Sequence, residues 1–191
     1  MKFLKIIVCL SAVLATPVLA EEITVVQSSC EVRFLNYVDN ATIEALLTKI
    51  EDTTICAEGD RVHLTLQTGG GDVDAGMFAY KMLRKRGIDT HVEYSAASMG
   101  LILLLAGDER TMASDASLLI HQITRYVGGE PEKDKLREYV EGIDILHEDY
   151  VAVVVERTGL TKEKVESLMA DHMYLNANEA LEFGFVTSII K

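Results

Sequence analysis

The sequence predicts an α/β fold, and three observations carry that reading. Some stretches alternate apolar and polar residues, as at Val62, Leu64 and Leu66, with the two-residue period of a strand. Others have helical spacing, as at Ile43, Leu46, Leu47 and Ile50. The two kinds of segment alternate along most of the 191 residues, the pattern of an α/β domain.

The start of the chain stands outside this pattern. Lys2 and Lys5 are followed by an apolar run at 6–13, and Val18-Leu19-Ala20 closes it with small residues. Pro17 interrupts the run, which is too short for a membrane span. Residues 1–20 therefore read as a secretory signal peptide cleaved after Ala20. Residues 21–191 remain as a single domain, in a secreted or periplasmic location. No later run is apolar and long enough to span a bilayer, so no membrane span is expected after cleavage. The formal net charge is −12, and both signal lysines leave on cleavage, so the mature chain is more acidic still. That argues against nucleic acid or an anionic membrane surface as partner.

Cys9 leaves with the signal, and Cys30 and Cys56 remain as an even pair in an oxidising compartment. A bridge between them is expected, worth about 3–4 kcal/mol in the chain-entropy model. The alternative is two buried thiols. No CxxC or CxxH spacing accompanies them, so no metal is expected there.

Residues 32–34 form the first strand candidate, and Asp39 or Asn40 caps the helix carrying Ile43 to its face. The strand at 60–67 runs into Thr68-Gly69-Gly70-Gly71-Asp72. The next helix places Ala75, Phe78, Ala79, Met82 and Leu83 on one face, Gly87 ends it, and 90–93 is the next strand. Three glycines allow close backbone approach to a ligand, and their amides suit an anion. Neither a phosphate-loop ending nor GxGxxG is present, and a flexible turn is the plain alternative.

Tyr94-Ser95-Ala96-Ala97-Ser98-Met99-Gly100 reads as a small-residue turn entering a short apolar helix. Ser98 stands at its start. One role there is an N-cap. The other is a reactive hydroxyl beside unpaired amides that favour negative charge. Strands follow at 110–112 and 117–120, the second ending in Ile120-His121-Gln122. His121 at the polar end of an apolar strand either lines a site or is a structural histidine. Residues 124–131 read as an exposed loop. A long helix at 133–158 has Leu136, Val140, Ile143, Leu146, Tyr150, Val151 and Val154 as its apolar face. Thr161 caps a short helix, Asn176 and Glu179 have capping-box spacing, Gly184 closes that helix, and 185–190 is the last strand.

Three motifs together resemble the Clp protease proteolytic subunit family of the ClpP/crotonase fold. They are Thr68-Gly69-Gly70-Gly71, Ala97-Ser98-Met99-Gly100 and Ile120-His121-Gln122, in family order and in matching helix–strand context. The resemblance implies an α/β fold built as a ClpP/crotonase-like spiral of β-α-β units. It implies Ser98 as nucleophile, His121 as general base, and the Gly71 and Met99 amides as oxyanion hole. The residues suit those roles, since a serine hydroxyl needs an adjacent base and an oxyanion needs preorganised donors. The family's handle corresponds to 133–158, which implies a homo-oligomer.

The third member of the triad departs from the family. Its closing pattern is Asp-x-aromatic-Leu-Ser-Ala-x-Glu-Ala. Here it stands as His172-Met173-Tyr174-Leu175-Asn176-Ala177-Asn178-Glu179-Ala180, with Asp171 one residue early. Asp171 is expected to orient His121, because a carboxylate stabilises an imidazolium better than a second imidazole does. A Ser98–His121 dyad is the alternative. The leading function is an exported serine peptidase acting through an acyl-enzyme on peptides or unfolded proteins, with no cofactor. Other readings are a catalytically silent binding or assembly protein and a crotonase-like acyl-CoA enzyme, though the last does not need Ser98 and His121 together. His147-Glu148-Asp149 and Asp171-His172 lack i, i+4 ligand spacing, so no metal is expected. Because ATP is not expected outside the cytoplasm, neither is an ATPase partner.

Overall fold

The computed structural model describes residues 29–56, 59–125, 127–130 and 132–191. The expected signal peptide lies outside the described residues. Among them, no helix is long and apolar enough to cross a membrane.

Strands β1 (Ser29–Phe34), β2 (Arg61–Thr68) and β3 (Ile88–Ala97) pair in parallel, with α1 (Asn40–Glu51) and α2 (Val73–Arg86) as crossovers. Val62, Leu64 and Leu66 are fully buried, as their alternation requires. Asp39 is the α1 cap. Its carboxylate accepts from Thr42 N at 2.8 Å, and Thr42 Oγ1 accepts from Asp39 N at 3.1 Å. Gly87 ends α2 in the left-handed region, at φ 68°.

The sheet forks on β3. Its residues 90–92 pair with β4 (Arg110–Ala113), while 95–97 pair with β5 (Ser117–Leu119). The cause is an irregularity opposite β2, where Leu66 faces Val92 but Thr68 faces Ala96, so β3 carries extra residues and bends. One branch continues from β4 to β7 (Ser188–Ile190) in parallel. The other continues from β5 to β6 (Tyr174–Asn176), which is antiparallel. The helix α3 (Met99–Leu105) lies at the centre and is buried on every side, a helix that only a core accepts. The expected mixed α/β architecture with a mostly parallel sheet is present.

Several local expectations change. Residues 94–97 are not a turn but the end of β3, because Ser95, Ala96 and Ala97 continue its pairing onto β5. Phe78 leaves the buried face of α2 and is 55 % exposed, while Tyr80 takes an inner place. The final strand starts only at Ser188, since Phe185 is spent as a core plug whose carbonyl accepts from Arg110 Nε at 3.0 Å.

The helices α4 (Lys133–Thr158), α5 (Lys162–Ala170) and α6 (Ala177–Glu182) complete the chain. Only the C-terminal part of α4 packs inside, through Tyr150, Val151, Val153 and Val154. Leu136 and Val140 of its expected apolar face are exposed. Cys30 on β1 and Cys56 beyond α1 form a disulfide across a Cα separation of 5.1 Å, so the expected bridge is present.

Candidate active site

Ser98 is the single residue between β3 and α3. Its backbone sits at φ 54° and ψ −121°, a conformation that costs a non-glycine residue about 1–3 kcal/mol. Its side chain makes no capping bond to α3, so Ser98 occupies the cap position without doing the work of a cap. Its backbone is fully engaged. Ser98 N donates to Leu119 O at 2.9 Å, and Ser98 O accepts from Leu101 N at 3.0 Å. The Tyr150 hydroxyl also donates to Ser98 O, at 3.5 Å. Burial pushes the Tyr150 phenol well up from its ordinary range, so it stays a neutral donor. Main chain is thus fixed while Oγ is left unbonded among the described residues, the arrangement of a serine presented on a strained strand-to-helix turn.

The glycine turn is pressed against this corner. Gly70 has φ 91°, and a Cβ there would lie 2.6 Å from Ala97 O, 2.7 Å from Ser98 Cβ and 3.0 Å from Met99 N. Only glycine lets the two turns approach so closely. Val38 clamps the turn from the other side, with Val38 N donating to Gly70 O at 2.8 Å and Asp72 N donating to Val38 O at 2.7 Å. A side chain at Gly71 would collide with Val38 O. Gly70 N is taken by Thr68 Oγ1 at 3.1 Å. Among the described residues, the amides of Gly71 and Met99 donate no backbone hydrogen bond. Asp72 is occupied as the cap of α2, accepting from Ala75 N at 2.8 Å.

Strand register brings His121 to the same end of the sheet. Ala97 pairs with Leu119, so Ser98 and His121 both emerge where β3 and β5 end. His121 is half-buried, and its Nδ1 lies 2.5 Å from Gln122 O. On the far side β5 pairs with β6 as Leu119 with Tyr174, and Ile120 N donates to Met173 O at 3.0 Å. Continuing that antiparallel register sets His172 opposite His121. Their ring centroids are 6.0 Å apart at a tilt of 55°.

Asp171 is placed differently from the sequence expectation. It is the C-cap of α5 in right-handed helical conformation, and its amide donates to Ser167 O at 3.1 Å. Among the described residues its carboxylate makes no hydrogen bond or ion pair, with His121 or anything else. The chain reverses at His172, which has φ 50°. The residue that meets His121 is therefore His172.

A cleft of about 260 Å³ opens beside Gly71. Tyr37 and Asp74 bound one side, Ile123 and Arg125 from the segment after His121 another, and Ile143 and Leu146 of α4 a third. Among the described residues no cluster of His, Cys, Asp or Glu is arranged to hold a metal ion. Sequence reasoning missed two supporting residues. Tyr150 read as one more apolar position of α4, although a buried phenol needs a partner for its O–H. Nothing in the sequence marked Val38 as the clamp of the glycine turn.

A protein-family model described as Clp protease matches residues 23–191 of this chain.

Proposed function

The chain belongs to the Clp protease family, and we propose that it is an exported serine peptidase using Ser98 and His121. Family membership supports a peptidase-type function, and members are typically oligomeric and act on peptides. The finer reading is carried by one observation. Ser98 stands on a positive-φ turn and, among the described residues, its Oγ is unbonded and the two amides beside it lack backbone partners.

The proposed reaction follows from those groups. Ser98 Oγ attacks the scissile carbonyl carbon as its proton passes to His121 Nε2. The developing oxyanion is met by the Gly71 and Met99 amides, each such donor worth about 3–4 kcal/mol of barrier. The C–N bond breaks as His121 returns the proton to the leaving amine. Water, deprotonated by His121, then hydrolyses the acyl-enzyme and restores Ser98. The cleft beside Gly71 is proposed to hold the peptide. Substrates are short peptides or already unfolded chains, no ATPase partner is required, and the protein acts as a homo-oligomer in the periplasm or outside the cell.

The test is degradation of an unfolded protein by the purified mature chain without nucleotide. Cleavage is expected. An absolute requirement for a co-purifying ATPase overturns the partner reading, and no cleavage under any condition overturns the peptidase reading. A silent binding protein on the same scaffold is the second reading, favoured by His172 standing where the resembled family has its carboxylate.

A further inference from the structure

We propose that the main-chain carbonyl of Gln122, and no carboxylate, sets the working tautomer of His121. The proposal rests on the reading of Ser98 and His121 as nucleophile and base. His121 Nδ1 lies 2.5 Å from Gln122 O. A carbonyl oxygen accepts and never donates, so a hydrogen bond there requires the proton on Nδ1. Nε2 then keeps its lone pair. That is the form in which an imidazole takes the proton of a serine hydroxyl, and in known triads an aspartate enforces it from the Nδ1 side. Here a group of the backbone, covalently next to the base, takes that place.

Among the described residues no other group bonds Nδ1. The Asp171 carboxylate makes no hydrogen bond or ion pair among the described residues and belongs to the end of α5. The His172 ring stands 6.0 Å from His121, centroid to centroid, and no hydrogen bond joins them. A neutral carbonyl fixes the tautomer, but it stabilises the imidazolium less than a carboxylate does. Two consequences follow. Asp171 is dispensable to the base. Position 172 faces His121, so a carboxylate introduced there supplies the missing stabilisation.

The direct test is nitrogen NMR of the mature protein with ¹⁵N-labelled histidine, at a pH where the His121 ring is neutral. His121→Gln assigns the signal. The Nδ1–H tautomer is expected in the wild type and unchanged in Asp171→Asn. An Nε2–H tautomer overturns the proposal, as does a switch of tautomer in Asp171→Asn. Kinetics give an independent reading. Asp171→Asn is expected to leave kcat/KM within about twofold. His172→Asp is expected to raise kcat about tenfold with KM unchanged, the size of effect an opposite charge near 6 Å exerts in a partly solvated site. A hundredfold fall in Asp171→Asn, or no gain in His172→Asp, overturns it. The NMR arm needs no turnover, so an inactive wild type removes the peptidase reading while the tautomer is still measured.

Discussion

The N–H and C=O of Ser98 itself both have partners, and Gly70 and Gly71 of the adjoining turn leave no room for a side chain. Around His121 one main-chain bond orients the ring among the described residues, and the residue facing it, His172, is exposed, as is its neighbour Asp171. The nucleophile corner is assembled from three parallel strands joined by two crossovers and from a buried helix. The base corner is assembled from short strands and the loop that closes α5. The difference teaches which part of the site tolerates change. Strain at Ser98 persists because Leu119, Leu101, Tyr150 and Gly70 over-determine it. Position 172, which faces His121, is exposed, so a carboxylate can be exchanged for His172 without disturbing the core.

The largest expected effect breaks both corners at once. Ser98→Ala and His121→Ala each should lower kcat/KM on a peptide by about 10⁴- to 10⁶-fold, and the double variant should cost little more. Independent, multiplying losses would show that the two residues do not act as one unit. Next in size is the glycine turn. Gly70→Ala forces atoms against Ala97 O and Ser98 Cβ and requires a positive φ. It should lower kcat by about a hundredfold through displacement of the nucleophile, with a stability loss of about 1–3 kcal/mol in urea titrations. An active Gly70→Ala enzyme would mean that the close approach of the two turns is not needed.

Changes at the opposite ends of the same strands sharpen the comparison, because they should alter stability and leave the chemistry alone. Replacing Cys30 and Cys56 together by alanine removes a bridge spanning 26 residues. It should cost about 3–4 kcal/mol by denaturant unfolding with kcat of the folded enzyme unchanged. The smallest effect is at Asp89. Its carboxyl is held below the usual carboxylate range, first by hydrogen bonding to Arg61 and also by the Glu109 amide. A lowered carboxylate value stabilises the fold above the unfolded-chain value, and that contribution fades as the pH falls through the folded value. Asp89→Asn should therefore cost about 1–2 kcal/mol at neutral pH and nearly nothing in strong acid. Equal losses at both would assign the effect to packing.

Much of the fold was legible because its signals are local. The alternation in β2, the caps at Asp39, Thr161 and Asn176, and the stop at Gly87 each reflect chemistry within a few residues. The glycine turn, Ser98 and His121 were legible through spacing and resemblance. What stayed hidden depends on distant neighbours. Residues 95–97 become strand because β5 returns to pair with them and Thr68 of β2 pairs with Ala96. The partner of His121 is decided by a reversal at His172 and by the register of β5 on β6, neither of which has a sequence signature. The apolar stripe on the first half of α4 reads as core, yet its Leu136 and Val140 are exposed. Light scattering should find a homo-oligomer that covers this stripe, and a monomer at micromolar concentration would contradict that.

The most direct measurement is reaction of the purified mature protein with a fluorophosphonate, followed by peptide mapping in the mass spectrometer. A single adduct on Ser98, lost in His121→Ala and retained in Asp171→Asn, is the predicted result. Absence of an adduct on folded wild-type protein, or an adduct on any other residue, would contradict the claim that Ser98 and His121 form a nucleophile and its base.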